Sequence, residues 1–165
     1  MKKILITLAV LFIINLGCKK IEGGGLCACS PAVGPSLSLT IKSSTEADLL
    51  NSTTAGFYGK DQIKLYSKDA NNVVKQISFT INQPFTYTND LKVTYYQLHS
   101  YEIASLSKNI DNTFYLKLGD DKIYELNLKV TSSLVEKLLI NKTEAPKEFP
   151  NVTASFLSSM YSLKI

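Results

Sequence analysis

Residues 113–130 read TFYLKLGDDKIYELNLKV, and this stretch decides the fold. Thr113 to Leu118 and Lys122 to Val130 are both strand-like, with apolar and polar residues alternating at the period of a half-buried strand. Gly119-Asp120-Asp121 between them supplies the residues a tight turn needs, so the segment predicts a β-hairpin. In the second arm Tyr124, Leu126, Leu128 and Val130 share one face, and Ile123, Glu125, Asn127 and Lys129 share the other. The former is the better core face. Asp120 and Asp121, with Asp111 close in sequence, could bind calcium, which wants about six to eight oxygens. The D-x-[DN]-x-[DN]-G loop is absent, so turn chemistry accounts for them and no metal is assigned.

Outward from the hairpin the period of two recurs. Ser36 to Lys42 alternates Leu37, Leu39 and Ile41 against Ser, Thr and Lys. Ile63 to Tyr66 is a short strand, and Asp69-Ala70-Asn71-Asn72 after it is rich in residues that tolerate left-handed backbone. Val73 to Ile81 alternates again and Pro84 closes it. Leu91 to His99 is β-branched and aromatic, and Tyr101 to Leu106 continues it after a short break. Ser133 to Asn141 admits a helix, through a capping box of Ser133 and Glu136, or a strand around Leu138 to Ile140. Ala154 to Tyr161 reads as a helical turn and Ser162 to Ile165 as a closing strand. About eight short strands with turn signals between them predict an all-β fold, an antiparallel β-sandwich that is immunoglobulin-like or related.

Composition narrows the function. At 165 residues, 45% hydrophobic and 19% charged, the chain has room for one globular domain. Its net charge of +4 comes from 18 Lys and no Arg, and there is no Trp. Arg is the residue best suited to bidentate phosphate and base recognition, and its absence argues against a nucleic-acid partner. One His and three Cys leave little material for a catalytic or zinc site, and no cofactor is implied.

Residues 1–18 read MKKILITLAVLFIINLGC. Lys2 and Lys3 form a positive start, Ile4 to Ile14 is apolar except for Thr7, and Gly17 is a small residue before Cys18. That is the layout of a secretory signal, and the apolar run is shorter than the roughly twenty residues of a membrane span. Asn15-Leu16-Gly17-Cys18 resembles the lipobox of bacterial lipoproteins. The resemblance implies that Cys18 receives a diacylglyceryl group, that a peptidase cuts before it, and that the new amino terminus is acylated with chains such as palmitate. Several chains together hold a protein firmly on a membrane. Removal of residues 1–17 leaves 16 Lys against 14 acids. Lys19 after the lipidated cysteine is compatible, in those families, with sorting to the outer membrane.

Residues 19–35, KKIEGGGLCACSPAVGP, have linker composition. Within them Cys27 and Cys29 can bridge each other in an oxidising compartment, although a C-x-C ring is tight. A redox role and a metal role are the alternatives, the latter weak with two thiolates and no nearby His. The expected organisation is a signal peptide over 1–17, a lipidated Cys18 and tether over 18–35, and a β-sandwich over 36–165.

The lipobox, the C-x-C pair, Asp48-Leu49-Leu50-Asn51, Ile63-Lys64-Leu65-Tyr66, Phe114-Tyr115-Leu116-Lys117-Leu118 and Leu138 to Asn141 together resemble small uncharacterised lipoproteins of Bacteroidota-type bacteria. The resemblance covers most of the mature chain, implies an envelope β-sandwich and carries over no catalytic residue. Lys142 stands where glycine would complete an Asn-Gly turn.

His99, beside Ser100 and Tyr101, could serve as a general base, but no G-x-S-x-G nucleophile motif accompanies it and the structural reading is preferred. Nine tyrosines are present. Tyr95, Tyr96 and Tyr101 cluster, and strand alternation would put Tyr95 and Tyr96 on opposite faces. Exposed tyrosines can bind a partner, while cross-strand aromatic pairing is their commoner use. Asn51, Asn141 and Asn151 begin N-x-[ST] sequons that reflect composition. The expected function is that of a lipid-anchored envelope protein, a non-enzymatic module binding an unknown envelope protein or glycan and touching the membrane through acyl chains on Cys18. The alternative is a small envelope enzyme or redox protein using Cys27 and Cys29, or His99.

Overall fold

Alternating segments such as 63–68 and 113–118 become strands here because each has one apolar face to bury. The computed structural model describes residues 34–153 and 155–165. Cys18, Cys27 and Cys29, with the expected signal peptide and nearly all of the expected tether, lie outside the described residues. In chain order the strands are β1 (Leu37–Lys42), β2 (Ile63–Lys68), β3 (Val74–Gln76), β4 (Thr80–Asn82), β5 (Phe85–Thr88), β6 (Leu91–Val93) and β7 (Gln97–Ser100). After helix α1 (Tyr101–Leu106) come β8 (Thr113–Leu118), β9 (Lys122–Val130), β10 (Val135–Ile140) and β11 (Thr143–Glu144), then helix α2 (Ser155–Ser158) and β12 (Met160–Lys164).

The architecture is an all-β, sandwich-like one. A four-stranded sheet has the order β12-β1-β7-β4, a six-stranded sheet the order β11-β10-β9-β8-β2-β3, and β5–β6 forms a separate hairpin. Every pairing is antiparallel except that of β12 with β1, which is parallel. Leu37, Leu39 and Ile41 of β1, with Leu98 and Tyr161, meet Leu65, Leu116, Leu126, Leu128 and Leu138 of the other sheet in one buried cluster. Each such side chain contributes about 1.5–3 kcal/mol by leaving water. The outer face of the four-stranded sheet is covered as well. There Met160 joins Val93 and Leu157, packed round by Leu91, Phe149 and Val152. Covering on both sides leaves all six residues of β1 buried.

The 113–130 hairpin forms as the sequence predicts, with Phe114, Leu116 and Leu118 inward. Gly119 turns it at φ +60, and its N–H donates to the Gln62 carbonyl at 2.9 Å. Asn72 takes the left-handed backbone expected of its turn (φ 60), while the Asp69 carboxylate accepts from the N–H groups of Asn71 and Val73.

Three expectations are corrected. The stretch from Val73 to Ile81 is two strands in two sheets. Ile77, 3% exposed, turns into the core and carries the chain across, and the Ser100 hydroxyl donates to the Ser78 carbonyl at the crossing. Leu91 to His99 is likewise broken, between β6 and β7. Tyr101 to Leu106 is a helix rather than a strand. The Ser100 side chain caps it by accepting from Ile103 N–H, and the adjacent Ile103 and Ala104 are both buried, which a period of two does not allow. Of the two readings left open for Ser133 to Asn141, the strand is the one adopted, with a bulge between Val135 and Lys137.

Candidate functional site

The alternation that buries Ile63, Leu65, Leu116 and Leu118 turns Lys64, Tyr66, Lys68, Tyr115 and Lys117 to the outer face of the six-stranded sheet. Register then makes the site. Lys64 lies directly opposite Lys117, and Tyr66 directly opposite Tyr115. The two phenol rings stack with centroids 5.3 Å apart and planes 19° apart. This covers Tyr66 so well that only 8% of it is exposed, although it faces outward. The Lys68 ammonium lies 4.9 Å from the Tyr115 ring centroid. On the neighbouring β9, Ile123 stands opposite Lys117 and Glu125 opposite Tyr115.

Farther along the sheet Lys129 faces Lys137, and each is held by a carboxylate, Glu136 at 2.9 Å and Glu144 at 2.8 Å. Among the described residues neither Lys64 nor Lys117 has such a partner. Like charges directly opposite on one face destabilise a strand pair, so this arrangement holds cationic potential that the fold itself does not neutralise. At the Lys68 end a cavity of about 340 Å³ opens, lined by Ser67, Lys75, Asn112, Thr113 and Tyr115 among others, with Asp111 at its wall. Ammonium groups dominate this stripe, which suits an anionic, oxygen-rich ligand.

His99 lies on the outer face of the four-stranded sheet, between Ser38 of β1 and Thr80 of β4. Its Nδ1 is 2.9 Å from the Ser38 hydroxyl, and the Tyr101 ring meets it edge-on at 4.6 Å. A cavity of about 260 Å³ adjoins it, lined by Phe79, Thr80, Tyr101 and Glu102. Burial pushes the imidazole below its ordinary pKa. Ser38 is only 7% exposed, so its hydroxyl is covered and serves to tie β1 to β7. The Glu102 carboxylate accepts from the Ser78 hydroxyl and N–H at 2.6 and 2.8 Å, which hold it below the ordinary carboxylate range. It is engaged there rather than orienting the imidazole.

The remaining tyrosines fall differently from the sequence expectation. Tyr95 and Tyr96 lie in the loop between β6 and β7, not on alternate faces of a strand. Tyr95 receives the Lys42 ammonium 3.9 Å over its ring, and the Tyr96 N–H donates to the Asp48 carboxylate at 2.7 Å. Tyr101 is half exposed. An aromatic group not foreseen from sequence gathers Phe85, Tyr87 and Phe156 from β5 and α2, with rings 5.1 and 6.2 Å apart. Asp120 and Asp121 lie at the β8–β9 turn. Among the described residues no three His, Cys, Asp or Glu side chains come together as metal ligands, and no helix is long and apolar enough to cross a membrane. Comparisons with protein-family models, with curated proteins and with solved structures gave no match.

Proposed function

We propose that this is a lipid-anchored cell-envelope protein, on the outer membrane, whose sandwich domain binds a ligand and transforms none. The observation that carries the binding reading is the pair Lys64 and Lys117, opposed next to the stacked Tyr66 and Tyr115 and without an ion-pair partner among the described residues. The lipobox pattern ending in Cys18 supports the anchor. Residues 19–35, fully extended, reach at most about 60 Å from the bilayer, enough to let a sheet face meet a partner in the envelope.

Two experiments test it. Labelling cells with a palmitate analogue should mark the protein, and Cys18→Ala should abolish both the label and partition into the detergent phase. A photo-crosslinking residue in place of Ile123, which is 52% exposed on the outer face, should give adducts in cells. The same group in place of Phe57 should not. Absence of adducts at Ile123 would overturn the binding reading. The enzymatic alternative draws on the cavity beside His99, and on Cys27 and Cys29. It requires that His99→Ala or Cys27→Ser produce a phenotype in a protein that still folds.

A further inference from the structure

We infer that the β2–β8 stripe binds an acidic polysaccharide, laid along the strands with its anionic groups on Lys64, Lys117 and Lys68. This rests on the binding reading above and names its ligand. Strand residues four apart are about 14 Å apart, so Lys64 and Lys68 bracket the stacked tyrosines at a spacing that spans a short stretch of a sugar chain. Within that stretch the face offers the ammoniums of Lys64, Lys117 and Lys68 against the carboxylate of Glu125, with Asp111 beyond Lys68. Charge complementarity therefore selects an anion.

Geometry selects among anions. Single-stranded nucleic acid is held by bases stacking on free aromatic faces. Here Tyr66 is 8% exposed and its ring is stacked on Tyr115, so it offers little face to a base. Arg, the residue that grips phosphate with two parallel bonds, is absent from the chain. Anionic lipid surfaces are recognised by clusters of about four to eight basic residues, more than the stripe supplies. A uronate-type chain needs separated cations and hydrogen-bond donors at intervals along a flat, open ribbon. Lys64 and Lys117, then Lys68, supply that spacing.

The test uses the purified full-length protein in detergent micelles. Biolayer interferometry would measure binding to immobilised polygalacturonate and dextran sulfate, with neutral dextran as control. Polygalacturonate or dextran sulfate should bind, dextran should not, and binding should weaken as salt rises. Lys64→Gln with Lys117→Gln should lower affinity about tenfold, as expected from losing two partly exposed ionic contacts. Lys92→Gln with Lys147→Gln, which removes the same net charge away from this face, should leave it unchanged. Lys117→Glu should abolish binding while the urea midpoint holds or rises, because the new carboxylate faces Lys64. That separates loss of the site from loss of the fold.

Equal loss in the two double variants would reduce the effect to net charge and overturn the assignment. So would tighter binding to an oligothymidine, which would make the ligand a nucleic acid, or to phosphatidylglycerol vesicles, which would make it a membrane. If neither acidic polymer binds but adducts still form at position 123, the polysaccharide assignment fails and the binding reading stands. If both are missing, both fail.

Discussion

Glu148→Ala should be among the most damaging single changes on the polar side of this domain. The Lys42 and Glu148 side chains are only 10% and 14% exposed, with Nζ 2.8 Å from Oε1. The Thr40 hydroxyl donates to the same oxygen at 2.6 Å, and the Tyr95 ring lies under the ammonium at 3.9 Å. At an effective dielectric near 20, that contact is worth about 6 kcal/mol of attraction, offset by the desolvation of both ions. Removing the carboxylate alone leaves a covered ammonium, and such changes cost about 3–5 kcal/mol. Glu46, 3.8 Å from the same nitrogen, remains as a poorer partner, which places the loss near about 3 kcal/mol. Lys42→Met with Glu148→Leu removes both charges and should fall within about 1 kcal/mol of the wild type. Urea unfolding followed by circular dichroism and tyrosine fluorescence would measure this, since the chain has no Trp. A Glu148→Ala loss below about 1 kcal/mol, or a double variant as damaged as the single one, would refute the account of a buried pair whose halves need each other.

Other consequences are open to the same assay. Asn141 and Lys142 both adopt left-handed backbone, at φ 49 and 66, in the two-residue β10–β11 turn. Lys142→Gly should therefore raise stability by about 1 kcal/mol by removing the steric penalty at φ 66. A drop would mean that the lysine side chain makes a contact worth more than the strain. His99 has a folded pKa below its unfolded value of about 6.5, so the unfolded chain takes up its proton first. Its contribution is complete above that pH and is lost as pH falls through the lowered folded value. Melting temperature should decline on acidification from neutrality, and His99→Gln should flatten that part of the curve. Glu102, held low by Ser78, acts only at lower pH, below its ordinary value of 4.5. Ser100→Ala should cost about 2 kcal/mol through loss of the α1 cap and of the hydrogen bond to the Ser78 carbonyl. The exposed pair Lys129–Glu136, at 57% and 48%, should by contrast contribute less than about 1 kcal/mol when broken.

Half of the candidate site was legible in the sequence. Ile63-Lys64-Leu65-Tyr66 and Phe114-Tyr115-Leu116-Lys117-Leu118 each put Leu or Ile on one face and Lys or Tyr on the other, which strand geometry alone dictates. That Lys64 meets Lys117 and Tyr66 meets Tyr115 was not legible, because β3 to β7 and α1 intervene between the two partners. Ser38 escaped notice for the same reason. It lies 61 positions from His99, and only the β1–β7 register joins them.

What the sequence determined by itself is the chemistry of local faces: the all-β period and the Gly119 and Asn72 turns. Tertiary structure alone decided where strands end and which strands meet. A buried Ile77 broke one alternating run into two sheets. A capping Ser100 made a helix of another. β12 closed parallel onto β1, at the opposite end of the domain's sequence. Alternation is set by steric geometry between neighbouring residues and so is written in order along the chain. Register and sheet membership are set by burying apolar faces against partners that the chain brings together only when it folds.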